Sequence, residues 1–350
     1  MSIEGSETAR RVATLLRRNV REIVLLVVIV LVSFLTALKS SGFLSASNLQ
    51  GIGLAAGMLF LVGLGEASVI VTRNIDASIG SMTGLVAYVS ADVMSHHPGL
   101  GIGGVAVIGV CLGAVLGSVN GYMVARRGFP SILVTLGTLY VYVGALYTIA
   151  GAQEIVTTSF PSSYQSAATG LFGRIPLICW YSLILGLAVH GFLRYTRRGR
   201  YWLAVGSNPN GARVLALRPS STIFTSYVFS GMCCGIVGVL WGAVYPTVDA
   251  SAGSTVLLGV LAAVLVGGVS IWGGQGSVSG VALGAILLAL LQSALIVLGV
   301  SPFWEGAVQG GVIVVAISFK RETITALQRR GRGLGSKSKV SEPSTPVVTS

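Results

Sequence analysis

Long apolar runs separated by short polar connections occupy nearly the whole chain. A helix needs about 20 apolar residues to cross the roughly 30 Å of hydrocarbon in a bilayer. Within the runs apolar and polar residues do not alternate, as they would in the strands of a transmembrane barrel. Because only helices and closed barrels satisfy their backbone polar groups in lipid, the pattern predicts an all-α protein that crosses a membrane many times.

The apolar runs predict about ten transmembrane helices. The predicted spans are 22–38, 50–71, 76–94, 102–125, 131–151, 175–195, 222–245, 255–271, 276–298 and 303–318. Spans 76–94 and 255–271 are short and have polar or glycine-rich ends. Eight or nine full crossings combined with re-entrant segments would therefore fit the pattern almost as well.

Basic residues are concentrated in alternate connections between the runs. Of the 23 lysines and arginines, all except Lys39 and Arg174 lie on the side that also carries both termini. The positive-inside rule places that side in the cytoplasm. The net charge of +12 then follows from topology and from attraction to anionic lipid head groups. Because the charges are spread over separate loops, we expect no nucleic-acid partner.

The composition supports the same class, since 53% of the 350 residues are hydrophobic and only 10% are charged. Such a balance excludes an ordinary soluble fold. We expect a basic arm over residues 1–21, a transmembrane domain over 22–318 and a basic, largely disordered tail over 319–350. The first apolar run is longer than that of a usual signal peptide and lacks a good cleavage site, so we expect this helix to be retained.

Glycine is abundant, with 48 residues in the chain. In two predicted spans glycines recur at every fourth residue, a spacing that lets membrane helices approach closely. These positions are Gly113, Gly117 and Gly121 in one span, and the pairs Gly231 with Gly235 and Gly238 with Gly242 in another. They are expected to pack helices within one subunit or, alternatively, to form a dimer face.

Two glycine-rich stretches resemble each other. Gly80-Ser81-Met82-Thr83-Gly84 stands 196 residues before Gly276-Ser277-Val278-Ser279-Gly280, and the register holds back into the preceding apolar segments. Six predicted spans separate the two copies, so both would have the same orientation. The match indicates an internal duplication with broken helices at corresponding places.

Few of the 11 acidic residues lie in the predicted spans, and two of these stand out. Glu66 lies within the second span, and Asp76 opens the third. Ionisable groups at such depth usually face a cavity, a partner or a transport pathway. Asp76 could instead cap the following helix, and Glu66 could pair with a buried arginine or stay protonated. The candidate pathway residues are Glu66, Thr72, Asn74, Asp76, Ser78 and Ser81.

The longest connection on the basic side runs from Thr196 to Arg213. Asn208 can cap a helix, and Pro209 suits the first helical position, so a short helix over about 209–217 is expected. A short basic helix could lie on lipid or dock into another protein, and the residues alone leave both open.

No catalytic or metal-binding pattern emerges from the remaining polar residues. The histidines and cysteines do not form a metal-ligand set or a triad, and there is no G-x-x-x-x-G-K-[ST] phosphate-binding sequence. We therefore expect no enzyme activity, no cofactor and no metal on this chain. Any ATP used would bind to another subunit.

Four motifs carry a family resemblance. They are Thr72 to Gly84; Asn120-Gly121 followed by Pro130 and Thr135-Leu136-Gly137-Thr138; Gly199 to Arg213; and Gly267-Gly268-Val269-Ser270 with Gly273-Gly274-Gln275-Gly276-Ser277. In this order they resemble the permease subunit of bacterial ABC importers for ribose and related monosaccharides, within the branched-chain amino acid/ribose-type permease family. The resemblance covers roughly residues 20–320. Thr72 to Asp76 is similar to the autoinducer-2 importer permease, since the sugar permeases more often have two glycines in place of Arg73 and Asn74.

The resemblance implies a transporter built from several subunits in the bacterial cytoplasmic membrane. Two permease subunits, identical or similar, would form the pathway for a small neutral polyhydroxylated solute such as a monosaccharide or an autoinducer-2-like molecule. Two ATP-binding cassette subunits would bind ATP and Mg, and an extracytoplasmic solute-binding protein would deliver the solute. The pathway would alternate its access as the ATPases open and close.

The resemblance also maps the loop after span 6 to a coupling helix that docks into the ATPase. Its matching residues are Gly206, Asn208, Asn210, Gly211, Ala212 and Arg213. The chain departs from the family pattern at Ser254-Thr255-Val256, where an acidic-hydrophobic pair is usual, and at Leu215-Ala216-Leu217, where a small-Gly-hydrophobic triplet is usual.

An ion-coupled secondary transporter is the main alternative. In that case Glu66 and Asp76 would serve as proton or ion sites. Such a transporter would need neither an ATPase nor a binding protein.

Overall fold

The computed structural model describes residues 20–301 and 303–318. This part of the chain is mostly helical, as the sequence predicts. The helices are α1 Val20–Lys39, α2 Ala46–Val71, α3 Ile79–His96, α4 Gly101–Ala125, α5 Ser131–Ala150, α6 Ser162–Thr169, α7 Leu177–Tyr195, α8 Arg197–Ser207, α9 Pro209–Val214, α10 Pro219–Val244, α11 Val256–Val266, α12 Val278–Val297 and α13 Trp304–Ser318. Most of the predicted arm over 1–21 and the predicted tail over 319–350 lie outside the described residues.

Seven helices of the described chain are long and apolar enough to cross a membrane: α1, α2, α4, α5, α7, α10 and α12. The sequence predicted about ten spans, and the other three correspond to α3, α11 and α13. The predicted span 255–271 is helical only over Val256–Val266, because two glycines follow at once. At 1.5 Å per residue, α11 covers about 17 Å, which is roughly half of the hydrocarbon layer.

Helix α3 lies in the middle of the bundle, and most of its residues are buried. It packs against α10, α5 and α4. Its 18 residues are less apolar than the seven long helices because it carries Ser81, Thr83 and Ser90, all of them buried. Helices α1, α4 and α5 lie outside it and expose large apolar side chains, as lipid-facing helices do.

The predicted glycines of α4 pack against α10 within this chain, whereas Gly238 lies against Val86 of α3 and Gly242 against Tyr164. A methyl group built on Gly113 would lie 2.2 Å from the carbonyl oxygen of Gly231, and one on Gly231 would lie 2.1 Å from the carbonyl oxygen of Gly113. A methyl group on Gly117 would lie 2.3 Å from the carbonyl oxygen of Tyr227. The close α4–α10 contact therefore confirms the intrasubunit alternative for these glycines and does not support the dimer face.

A small cap of strands and a short helix closes one end of the bundle. The strand pairs are antiparallel: β1 Ile155–Val156 with β4 Thr247–Val248, and β2 Leu171–Phe172 with β3 Ile175–Pro176. Helix α6 lies between β1 and β2, in a connection for which the apolar pattern predicted no structure. The Tyr164 hydroxyl on α6 donates to the Val239 carbonyl at 2.7 Å, which fastens this cap to α10.

Both copies of the glycine-rich repeat follow a broken helix. The first break, residues 72–78, separates α2 from α3, and the second break, residues 267–277, separates α11 from α12. With the offset of 196 residues, the last helical residues Val71 and Val266 are one position apart. The duplicated sequence thus has the same backbone course, a helix, a turn and a second helix, in both places.

Candidate functional site

The first break begins with a tight turn that reverses the end of α2. The Arg73 backbone has a φ of 67°, in the left-handed region that a residue with a side chain rarely adopts. The Thr72 hydroxyl donates to the Val69 carbonyl at 2.8 Å, and the Asn74 side-chain amide donates to the Thr72 carbonyl at 3.0 Å. These short polar side chains replace the helical hydrogen bonds that the turn removes.

A cluster of fully buried polar side chains, which we call the break cluster, consists of Glu66, Asp76, Ser78 and Asn120. Asp76 Oδ1 accepts from the Ser78 backbone N–H at 3.0 Å and from the Ser78 hydroxyl at 2.6 Å. The Asn120 amide donates to the Ser78 hydroxyl oxygen at 2.8 Å and to Asp76 Oδ1 at 3.4 Å. Glu66 Oε1 accepts from the Asp76 backbone N–H at 3.2 Å.

Asp76 does not cap α3 in the way the sequence suggested. Helix α3 begins at Ile79, and the residue directly before it is Ser78, which makes no side-chain cap. Asp76 instead bonds to the backbone two residues ahead and closes an Asx-type turn within the break. The carboxylate therefore holds the shape of the turn and lies against α4 through Asn120.

Several acceptor atoms of the break cluster have no hydrogen-bond partner among the described residues. They are Glu66 Oε2, Asp76 Oδ2 and Asn120 Oδ1. The ion pair found in this part of the chain is Asp92–His96 at 3.3 Å, so neither buried acid has a basic partner there. Unmatched buried acceptors are costly, and in membrane proteins they mark places where a proton, an ion or a polar solute passes.

Two further helices, α5 and α10, hold the centre of the first break. The Ile75 backbone N–H donates to the Ser131 hydroxyl oxygen at 3.3 Å, and the Ile75 carbonyl accepts from Thr135 and Tyr227, each at 3.3 Å. Sequence reasoning singled out neither Ser131 nor Tyr227. Both are polar side chains within apolar spans, and this feature of the sequence could have identified them. Asn120 and Thr135 have the same feature.

The other predicted pathway residues lie at the edges of the cluster. The Ser81 hydroxyl donates to the Ser78 carbonyl at 2.9 Å, and the Thr72 hydroxyl lies 3.5 Å from that of Ser226 on α10. Asn74 is partly exposed, whereas Thr72 and Ser81 are buried. The structure therefore brings all six predicted residues to one region around the first break, and five of them are buried in this conformation.

The predicted coupling segment is a pair of helices, α8 and α9. The expected cap is confirmed, because the Asn208 side chain accepts from the Gly211 backbone N–H at 2.9 Å and Pro209 is the first residue of α9. Helix α9 ends at Val214 instead of about 217, since Ala216 adopts a left-handed φ of 56°. The sequence did not predict α8 at all.

The six predicted coupling residues divide into two groups. Gly206 and Ala212 are buried, and a methyl group on Gly206 would lie 1.7 Å from the Val71 carbonyl oxygen, so Gly206 serves packing. Asn208, Asn210 and Arg213 are exposed and Gly211 is partly exposed.

Two exposed apolar residues follow Arg213, and sequence reasoning named Leu215 only as a departure from the family pattern and did not single out Val214. Val214 is 87% exposed and Leu215 is 73% exposed. Together with Asn210 and Arg213, they form a mixed basic and apolar surface at the end of α9, which we call the α9 face.

The predicted coupling segment contacts both breaks. Arg73 reaches from the first break to the end of α8, where its guanidinium donates to the Gly206 carbonyl and to the Ser207 carbonyl at 2.8 Å. The Gly274 backbone N–H of the second break donates to the Val71 carbonyl at 2.8 Å. The two breaks and the end of α8 therefore meet at one junction.

The beginning of α1 holds the second break. Arg21 donates to the Val266 carbonyl at 3.0 Å and to the Leu265 carbonyl at 2.7 Å, at the end of α11. Its neighbour Glu22 accepts from the Ser277 hydroxyl at 3.2 Å, at the start of α12. Two adjacent side chains thus bridge both ends of the interrupted helix.

Residues 48–317 match the model of the family described as branched-chain amino acid transport system / permease component. The chain belongs to this permease family. Its members are transporter subunits and not enzymes, and the resemblance predicted from the four motifs is confirmed. Among the described residues no group of three or more His, Cys, Asp or Glu side chains could hold a metal ion.

Curated relatives cover almost the whole permease. The Autoinducer 2 import system permease protein LsrC of Salmonella typhi is 31% identical over 317 residues, which is 91% of this chain and 90% of the relative. LsrC of Yersinia pestis is 30% identical over 315 residues, 90% and 89% of the two chains. The Probable ABC transporter permease protein y4mJ of Sinorhizobium fredii is 32% identical over 278 residues, 79% and 82% of the two chains. No solved structure matches this chain.

Proposed function

We propose that this permease is the membrane subunit of an ABC importer that moves a small neutral polyhydroxylated solute, either a monosaccharide or an autoinducer-2-like molecule, into the cytoplasm. ATP and Mg bind to a separate ATPase subunit. The names of the relatives support the transport system. The proposed mechanism rests on one observation: at the junction, Arg73 joins the end of α8 to the first break by hydrogen bonds.

The α9 face is the docking surface for the ATPase. Exposed apolar residues flanked by an arginine suit a protein groove, because an apolar contact needs a partner that excludes water. Helix α9 follows α8 directly, and the end of α8 is packed against Val71 and Gly274 with no room for a side chain at Gly206. A movement imposed on α9 therefore reaches the end of α2 and both breaks without a flexible element in between.

The predicted pathway residues lie around the first break, which this movement of α9 and α8 would displace. Glu66, Asp76 and Ser78 have no exposed surface in this conformation, so a solute reaches them only when the helices around the first break separate. A rigid-body shift of packed helices between two arrangements is the usual form of alternating access. The unmatched acceptors of Glu66 and Asp76 then become available to solute hydroxyl groups.

The remaining partners follow from the same assignment. A second permease subunit completes the pathway, and an extracytoplasmic binding protein delivers the solute at the end opposite to α9. Lipid covers the exposed apolar side chains of α1, such as Val27, Val30 and Phe34. The protein lies in the bacterial cytoplasmic membrane, where about ten spans, including the half-length α11, leave both termini in the cytoplasm.

Co-purification of the full-length permease with its ATPase tests this function. We expect Leu215→Asp to abolish retention of the ATPase and solute uptake, because a carboxylate would be placed in an apolar contact. The matched control is Leu171→Asp, another exposed leucine, in the β2–β3 hairpin, which should retain both. Normal uptake and ATPase retention by a well-expressed Leu215→Asp variant would overturn the docking assignment.

A secondary transporter is the second candidate, and one observation favours it. Two buried acids without a basic partner in the described chain are a common arrangement for proton or ion coupling. Reconstitution of this chain alone into vesicles with an ion gradient separates the candidates. Uptake under these conditions that is lost in Glu66→Gln would replace the importer, whereas uptake only with the ATPase and ATP supports it.

A further inference from the structure

A cleft with polar and aromatic walls lies between α2, α10, α12 and α13. Its empty volume, including solvent at its mouth, is about 540 Å³. We call it the polyol cleft and define it by Trp241, Tyr245, Gln292, Glu305 and Gln309. Its apolar floor includes Met58, Val62 and Leu288. None of these residues belongs to the predicted pathway set or to the coupling segment.

A carboxylate is held in a fixed position at the cleft wall. Glu305 Oε1 accepts from the side-chain amide of Gln309 at 2.9 Å and from that of Gln292 at 2.9 Å, so two helices hold it. Gln309 is only 9% exposed. Among the described residues the second oxygen, Oε2, has no partner, and no basic side chain forms an ion pair with Glu305. The carboxylate is therefore oriented and still able to accept hydrogen bonds.

Two aromatic rings form another wall. Trp241 and Tyr245 lie one helical turn apart at the end of α10, with ring centroids 4.6 Å apart and planes inclined by 35°. Such rings offer extended apolar faces to the C–H groups of a small solute. A charged acceptor beside aromatic faces suits a molecule that has hydroxyl groups on one edge and C–H groups on the other.

We propose that the polyol cleft binds the vicinal hydroxyl groups of the transported solute, with Glu305 as acceptor and Trp241 and Tyr245 against its C–H face. This assignment rests on the proposed import of a polyhydroxylated solute. The cleft lies toward the other end of α2 from the first break. The ten residues from Val62 to Thr72 correspond to about 15 Å along that helix. The cleft is thus a separate recognition site on the side where the solute would arrive, and the break cluster lies further along the path.

Quenching of tryptophan fluorescence in the purified full-length permease tests the cleft, with D-ribose and 2-deoxy-D-ribose as probes. We expect D-ribose to bind with a Kd on the order of 1 mM or below. The 2-deoxy sugar, which lacks one vicinal hydroxyl, should bind about 10-fold more weakly or worse, since the hydrogen bond to the charged carboxylate is lost. Trp241→Phe should remove the signal, because the reporting ring lies in the cleft.

Substitution of the carboxylate gives the decisive comparison. Glu305→Gln should weaken D-ribose binding about 10-fold or more, whereas Glu154→Gln, an exposed acid outside the cleft, should leave it unchanged. Equal affinity of Glu305→Gln and the unchanged chain, or no quenching by D-ribose well above 1 mM, would overturn the assignment. Quenching by choline that is lost in Glu305→Gln would also overturn it, because the cleft would then recognise a cation.

The proposal of the polyol cleft and the proposal of the importer can fail independently of each other. Retention of the ATPase by Glu305→Gln together with unaltered sugar binding would refute the cleft and leave the importer intact. Loss of sugar binding in Glu305→Gln, with no ATPase recovered from the unchanged chain, would support the cleft and refute the importer.

Discussion

The two breaks share a sequence pattern and a backbone course, but different kinds of side chain hold them. At the first break two buried acids, Asp76 in the turn and Glu66 at the end of α2, are bonded to neutral donors from the turn and from α4. The second break contains no acid and is bridged from outside by Arg21 and Glu22 of α1. A duplicated pattern of small residues therefore specifies where a helix is interrupted, but it does not specify the polar chemistry of the interruption.

The residues at corresponding positions of the two breaks differ in their chemistry. With the offset of 196 residues, Glu66, Arg73 and Asp76 correspond to Ala262, Val269 and Trp272. Ala262 and Val269 are buried, and Trp272 is 68% exposed. Since the second break has neither the acids nor the arginine that reaches α8, we assign the polar function to the first break and a supporting role to the second.

Gly206→Val should have the largest effect, because it removes the contact on which both breaks depend. A side chain there would meet the Val71 carbonyl oxygen at 1.7 Å and the Gly274 nitrogen at 2.6 Å. Backbone atoms cannot move aside as a side chain can, so we expect a loss of about 3 kcal/mol or more in the free energy of unfolding. Thermal unfolding in detergent measures it. Gly191→Val, where nothing lies within 4 Å, is the control and should unfold at nearly the temperature of the unchanged chain.

Asp76→Ala compared with Trp272→Ala tests the asymmetry directly. Removing the carboxylate leaves the Ser78 N–H and the Asn120 amide without their buried acceptor, at a cost of about 1–3 kcal/mol. Solute uptake by equal amounts of inserted protein should fall about 10-fold. Trp272→Ala changes an exposed residue and should leave uptake near normal. A greater loss in Trp272→Ala would reverse the assignment of function to the first break.

Arg21→Met tests the support of the second break. It removes two hydrogen bonds to the last carbonyls of α11, and we expect a loss of about 1–2 kcal/mol in the free energy of unfolding. Lys39→Met removes the same charge from the exposed end of the same helix and should cost little. Equal midpoints of thermal unfolding for the two variants would show that α1 does not hold the break.

Arg73→Gly should have the smallest effect on stability. Glycine adopts a φ of 67° without strain, and this gain offsets most of the loss of the two hydrogen bonds to the end of α8. We expect the free energy of unfolding to change by less than about 1 kcal/mol. Uptake should nevertheless fall, since the link from α8 to the first break is lost. Unchanged uptake would place the coupling in the Gly274–Val71 contact instead.

The helical architecture could be predicted from apolar length, but the ends of its elements could not always be. Gly267 and Gly268 did not interrupt the apolar run, so span 255–271 was predicted too long. Glycine has no Cβ to restrict its backbone, and Gly268 adopts a φ of 103°, which a helix does not allow. The four short strands and α6 are too short for a periodic pattern to reveal. The cap at Asn208 and Pro209 was predicted because it depends on two adjacent residues alone.

The candidate site was predictable to the extent that its residues are unusual for a membrane. Glu66 and Asp76 were found because acids are rare there. Ser131 and Tyr227 were missed because neutral hydroxyl groups are common in apolar spans, and their bonds to Ile75 depend on how distant helices pack. In the polyol cleft, Trp241 and Tyr245 were recognisable as rings that could stack on a sugar, but belt positions explained them equally well. Glu305 was missed because its contact with Gln292 exists only in the folded chain.

Arg73 and Arg21, the arginines at the two breaks, have a consequence for the electrostatics of the whole basic side. Each lies at the carbonyl end of a helix, Arg73 at α8 and Arg21 at α11, where the aligned peptide dipoles place about half an elementary negative charge. About half of each positive charge is thus offset by the fold itself. Attraction to anionic lipid rests mainly on exposed arginines without such a helix end, such as Arg197, Arg198 and Arg218, and this part should weaken as salt is added.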